Sequence, residues 1–196
     1  MQRVTRTQWK SLFGDYTTII RQETIFQRID GHEISTGEKI EIRTIEHGIR
    51  TVEAETIYGG MYGLGYVHAQ DRLWFMNFYR HMSKGTLSSV FGSECIPIDK
   101  YIRTIGVPAQ AEYHYERIDQ DGYDSLVHYA NGVNEAVRQM SMLPLEFQMT
   151  WTGFDEWQPI DSLRHYHMLV NLMSGDWYFE ALRERLTEVY PRVLVD

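Results

Sequence analysis

The chain is poor in cysteine: Cys95 is its single one in 196 residues, so no disulfide can close within it. Cys95 lies in a turn-like stretch, Ser93-Glu94-Cys95-Ile96-Pro97. No adjacent cation is there to stabilise a thiolate, and a structural thiol is expected. Runs of Lys and Arg are missing too. With 19 basic against 27 acidic residues and a net charge of −8, the chain lacks the clustered cations that neutralise phosphates. No nucleic-acid partner is expected. No apolar run approaches the ~20 residues that cross a bilayer, so no transmembrane segment is expected either. Residues 1–30 show no continuous apolar core of a secretory signal. The first 14 residues hold Arg3, Arg6 and Lys10 and no acid. An intracellular or mitochondrial location is therefore expected over a secreted one.

The motifs of self-sufficient hydrolases are absent as well. There is no Gly-x-Ser-x-Gly elbow, no glycine loop ending in Lys, no Cys-x-x-Cys and no His-Glu-x-x-His. What is present is an ordinary globular composition, 43% hydrophobic and 23% charged. Aromatics are plentiful at 13%, and such side chains suit both cores and broad contact surfaces.

Residues 1–37 read as an N-terminal extension with turns at Asp30-Gly31 and Thr36-Gly37, and residues 38–196 as one domain. Lys39 to Val52 alternates in two pieces, with Ile40, Ile42 and Ile45, then Ile49 and Val52, around a turn at His47-Gly48. A short hairpin is predicted. Two strands alone are marginal, so they are expected to join a sheet from another chain. From Ala54 to Met82 the apolar period becomes helical. Gly59, Gly60, Gly63 and Gly65 weaken that helix by ~1 kcal/mol each relative to Ala. This implies close packing of its backbone, expected against the last helix, with Gly85 as C-cap. Further helices are predicted over 87–91, 99–117, 122–140, 145–151 and 161 to about 189. The last one has Asp161 as N-cap and an apolar stripe of Leu163, Tyr166, Val170, Met173, Trp177, Leu182 and Leu186.

Three groups invite a chemical reading. His165 and His167 stand at i and i+2 on a helix and do not share a face, so one ion cannot easily take both. His68, Asp71 and Arg72 lie together in the first long helix and are read as a buried polar brace, because no nucleophile neighbours them. Asp176 and Glu180, at i and i+4, point the same way. Carboxylate oxygens suit calcium, although two of them without a ligand-rich loop more commonly form a solvated face.

The run Gly63-Leu64-Gly65-Tyr66-Val67-His68-Ala69-Gln70-Asp71-Arg72-Leu73-Trp74 resembles the small-subunit signature of the penicillin acylase family. That family also includes cephalosporin and acyl-homoserine-lactone acylases. Similar strings follow in order: Lys84-Gly85-Thr86-Leu87-Ser88, Ile98 to Gly106, Tyr129-Ala130-Asn131-Gly132-Val133-Asn134, Leu143-Pro144-Leu145-Glu146-Phe147 and Trp157-Gln158-Pro159-Ile160-Asp161. The likeness spans about 41–186.

The resemblance implies a mostly α chain with a short β contribution, forming the small-subunit part of an αββα N-terminal-nucleophile hydrolase fold. It implies a larger partner chain whose first residue is the nucleophile, and no catalytic residue here. It also implies a structural calcium shared with that chain, with Glu180 as one ligand. Val170, Met173 and Ser174 fall where some members place Met, Arg and Phe in the acyl site. These three are the substrate-binding candidates, and their identities do not carry over the family's substrate. Gly48-Ile49-Arg50-Thr51 likewise departs from the family's Gly-Val-Pro-His. The alternative is a family-derived structural subunit of a larger assembly without chemistry.

Overall fold

The structure is a computed structural model that describes residues 40–44, 46–188 and 190. The expectations for residues 1–37 and for Ile45 lie outside them. Two short strands, β1 (Glu41–Thr44) and β2 (Arg50–Glu53), pair antiparallel with Ile42 opposite Val52. The turn is where the sequence places it: His47 and Gly48 both take left-handed backbone angles, φ 65° and 78°. Ile40 and Ile42 are buried in the main core, while on the outer face Arg43 bridges Glu41 and Glu53 at 3.0 and 3.2 Å. Ile49 does not join the apolar face. It sits in the connection rather than in a strand, and is exposed.

The first long helix, α1 (Ile57–Lys84), begins at Thr56, whose hydroxyl accepts from Gly59 N at 3.1 Å. It ends at Gly85, which is left-handed at φ 63°, ψ 45°. Bonds from Gly85 N to Met82 O and from Thr86 N to His81 O close a Schellman motif. Inside the helix Arg72 leaves helical geometry at φ −143°, ψ 24°, which kinks it.

The glycine face of α1 packs not on the last helix but on α5 (Gln120–Gln139). A Cβ on Gly65 would overlap the carbonyl of Tyr129, and one on Gly132 would overlap the carbonyl of Tyr62. Glycine on both sides lets the two backbones touch, which the one-helix reading of the sequence misses. Gly63 serves the hairpin instead, with Val52 Cγ1 at 2.5 Å from where its Cβ would be. The main core lies here, between hairpin, α1 and α5, and includes Leu73, Val133, Phe147 and Trp157.

The remaining helices are α2 (Ser88–Phe91), α3 (Ile96–Ile105), α4 (Val107–Tyr115), α6 (Leu145–Met149), α7 (Pro159–Met173) and α8 (Asp176–Thr187). Two predicted single helices are each split. The helix over 99–117 breaks at Gly106, which caps α3 in the left-handed region, with Pro108 in the first turn of α4. The helix from 161 breaks at Ser174-Gly175, where the Ser174 hydroxyl donates to Val170 O at 2.6 Å and Ser174 itself departs from helical angles. Asp161 is not the cap of α7 but its third residue. Gln158 is the cap, and its N–H donates to the Asp161 carboxylate at 3.1 Å. A second small core, Ile102, Val107 and Met168, joins α3, α4 and α7. Among the described residues the chain is mostly helical with one two-stranded sheet.

Candidate functional site

His68, Asp71 and Arg72 lie beside the kink in α1, and all three are exposed, which corrects the expectation of a buried brace. Asp71 and Arg72 lie off the face that α1 buries on α5, and His68 sits at the edge of that seam. Asp71 pairs with Arg50 at 3.3 Å and so ties β2 to α1. The Arg72 guanidinium folds back onto the Asp71 carbonyl at 2.9 Å. His68 Nδ1 meets the Tyr129 hydroxyl at 3.0 Å. Desolvation of part of its ring lowers the His68 pKa, against the pull of Asp71. Burial pushes the Tyr129 phenol up to about 12, so it stays protonated.

The buried polar brace is one helical turn and more further along. Asp161 has a side chain only 1% exposed and receives Lys84 Nζ at 2.9 Å and Arg164 at 3.0 Å, with Arg80 at 3.8 Å. Arg80 is itself buried. It donates to the Asp155 carbonyl at 2.8 Å and to Asn77 Oδ1 at 2.6 Å, and lies over the rings of Phe154 and Trp157. Desolvation lowers the Arg80 pKa, opposed by Asp161 and Asp155. Asn134 of α5 completes the latch, clasping Trp157 through its backbone: Nδ2 donates to Trp157 O at 3.0 Å, and Trp157 N donates to Oδ1 at 2.7 Å. These bonds fix the segment before α7, and therefore the direction in which α7 leaves the core. Asn134 and Asp161 each stand in a string quoted for the resemblance. A string match and a cap pattern are local signals, and neither shows that the two residues lie at one clasp.

Val170, Met173 and Ser174 come together at the end of α7, all exposed, Met173 to 85%. Much of the predicted apolar stripe is open as well. Leu163 is buried, but Tyr166, Leu182 and Leu186 are exposed, as are Leu172, Tyr178 and Phe179. Glu180 and Asp176 are exposed on α8. No group of three or more His, Cys, Asp or Glu side chains converges among the described residues. Glu180 thus has the donor chemistry for calcium, yet these residues hold no complete cage around it. His165 and His167 diverge as helical geometry requires: His165 packs on the Tyr79 ring, and His167 faces His114 of α4. A second open apolar area surrounds α6, with Met142, Met149 and Trp151 exposed to 72%, 71% and 95%.

Residues 39–194 match the family model described as penicillin amidase. An acyl-homoserine lactone acylase, QuiP, of Pseudomonas aeruginosa is 30% identical over 143 residues, covering 70% of this chain and 17% of that protein. Penicillin acylase 2 proenzyme of Pseudomonas sp. (strain SE83) is 28% identical over 131 residues, with 67% and 17% covered. The chain thus spans about one sixth of the length of these curated relatives. Among solved structures, a thermostable penicillin G acylase from Alcaligenes faecalis superposes with a TM-score of 0.66 at 26% identity. That match covers 81% of this chain and 90% of the other.

Proposed function

The chain belongs to the penicillin amidase family, and on that premise we propose that it is the small, nucleophile-free part of an amide-hydrolysing enzyme. A larger family-type chain binds it and supplies an N-terminal Ser, Cys or Thr. In the assembled enzyme that nucleophile attacks an amide carbonyl, an acyl-enzyme forms, and water releases the acid. The present chain contributes no reacting group. Its part is to hold the end of α7 in place, so that Val170, Met173 and Ser174 form a wall of the acyl pocket. Those three side chains are short or flexible, and none carries charge, so they suit an uncharged acyl group.

The observation that carries this reading is the open apolar surface of α7 and α8, from Tyr166 through Met173 to Leu186. Apolar side chains left open along two consecutive helices are what an interface with another chain would cover. Trp151 is a second anchor of the type that dominates interfaces. Glu180 supplies one oxygen to a calcium whose other ligands come from the larger chain.

The replaced pocket positions favour one alternative, a family-derived structural subunit that no longer takes part in chemistry. Sequencing the N-terminus of the larger chain that co-purifies separates the two. Ser, Cys or Thr together with amidase turnover supports the enzyme, and any other first residue supports the structural subunit. Size-exclusion chromatography of the isolated chain tests the premise common to both. Aggregation or partial folding is expected, rescued by co-expression with the larger chain. A monodisperse monomer with a sharp cooperative melt would overturn partner dependence, and amide turnover by that monomer would overturn the whole assignment.

A further inference from the structure

His114 and His167 are 53 residues apart and sit on different helices, α4 and α7, yet their ring nitrogens meet. Nδ1 of His114 lies 3.3 Å from Nε2 of His167, with ring centroids 5.4 Å apart and planes at 69°. Such a pair has two uses. As a hydrogen bond it is long, and one ring must donate while the other accepts. As a chelate it is well spaced: two imidazole nitrogens at ~2.0–2.1 Å from a tetrahedral zinc ion stand about 3.3–3.4 Å apart.

We propose that His114 and His167 form a two-histidine site for a divalent transition-metal ion, zinc in the first instance, that clips α4 to α7. The ion replaces the shared proton. Each ring turns its lone pair onto the metal and carries its remaining proton on the other nitrogen, Nε2 of His114 and Nδ1 of His167. Water fills the other coordination positions, because no third His, Cys, Asp or Glu joins the pair among the described residues. Glu112, two residues before His114, pairs with Arg164 at 3.5 Å.

The local setting favours the ion. His114 is exposed and His167 half-buried, so the pair is reachable and one ring can turn without moving its helix. The Tyr166 ring stands against His167 and limits its rotation. Nitrogen donors separate this site from the calcium expected at Glu180. Imidazole suits zinc, nickel and copper, while calcium takes oxygen. The proposal does not rest on the enzymatic reading, since α4 and α7 meet within this chain.

The test is a zinc titration by competition with a chromophoric chelator, on the full chain together with its larger partner where that is needed for solubility. Wild type should bind one zinc at this site. His114→Ala and His167→Ala should each weaken that binding by about tenfold or more, while His128→Ala, half-buried on α5 against Tyr58, should not. Zinc should raise the melting temperature of wild type and leave both variants unmoved. His114→Gln serves as a second variant should His114→Ala alter the circular dichroism. Equal binding by wild type and both variants, or no binding by wild type, overturns the proposal. Displacement of the zinc by calcium would overturn it as well.

Discussion

The two ends of α7 are built on opposite principles. At its N-terminus Asp161 is wrapped by Lys84, Arg164 and the Gln158 amide, and neighbouring Arg80 is buried and stacked on aromatics. Charge is brought inside there and paired within the chain, although Arg164 Nε and Asn77 Nδ2 are left without a hydrogen bond. At its C-terminus Val170, Leu172 and Met173 face outward, and on α8 Tyr178, Phe179 and Leu182 are exposed as well. One end is completed by the chain itself, whereas the other is left open in this chain and is where the proposed function places the larger chain. The contrast teaches that α7 is latched at its base by buried charge and left open at its tip.

The largest effect belongs to the base. Asp161→Ala leaves a buried guanidinium and a nearby ammonium without their carboxylate, and should destabilise the fold by about 3–5 kcal/mol. Chemical unfolding of the assembled protein measures it. A loss under about 1 kcal/mol would place Asp161 among ordinary surface pairs and erase the contrast. Next comes the seam beneath the latch. Gly132→Ala puts a methyl into the Tyr62 carbonyl. Backbone cannot swing aside as a side chain can, so α1 and α5 must part, at about 1–3 kcal/mol. Thermal unfolding of that variant, alongside Gly60→Ala where the space is open, isolates the clash from helix propensity.

These positions also mark how far the sequence could be read. Hairpin, turn, the cap at Gly85 and most helices were legible, because apolar periodicity and turn chemistry are local signals. The breaks are marked in the sequence by Gly106 with Pro108 and by Ser174-Gly175, but an apolar periodicity followed along the chain does not weigh such stop signals. Asp71 lies outside the buried brace for a related reason. Charge next to a signature string marks importance but not burial, and burial depends on which face of α1 meets α5. That partner helix was invisible until Gly65 and Gly132 were seen across from each other. Likewise nothing in local spacing joins His114 to His167. Pocket roles for Val170, Met173 and Ser174, and a calcium at Glu180, come from family likeness, and their tests lie with the larger chain.

A middle case sharpens the comparison. The Asp99 carboxylate accepts from Leu87 N at 2.7 Å and Ser88 N at 2.9 Å, holding the start of α2 from across a turn. Desolvation would raise its pKa, but the bonds from Ser88 and Leu87 and the charge of Arg103 outweigh it and hold the group below its ordinary value. A carboxylate lowered on folding adds stability that is complete above the unfolded pKa of about 3.9 and is lost as pH falls through the lowered folded value. Asp99→Asn should therefore cost about 1–2 kcal/mol at neutral pH. The gap between variant and wild type should close in acid, which melts at neutral and at acid pH will show. Asp71→Ala, which removes only the exposed pair with Arg50, should cost no more than about 1 kcal/mol at any pH.

The smallest effect on the chain itself is expected at the tip of α7 and on α8, and that is what makes it informative. Met173 and Phe179 are exposed to 85% and 64%. Replacing both with Ser removes no internal contact that holds the fold, so the stability of the chain's own core should change by no more than about 0.5 kcal/mol per site. The same double variant strips apolar surface from the proposed interface. Its affinity for the larger chain should fall by about tenfold or more, since each factor of ten is only ~1.4 kcal/mol. Hydrogen exchange on the assembled protein reads both quantities at once. Protection of α1 and α5 should be unchanged, while α8 loses protection as the partner dissociates. Equal loss in both regions would mean that the tip supports the core, and that the two ends of α7 are not separate devices. Unchanged assembly would mean that the open apolar surface of α7 and α8 is not where the larger chain binds.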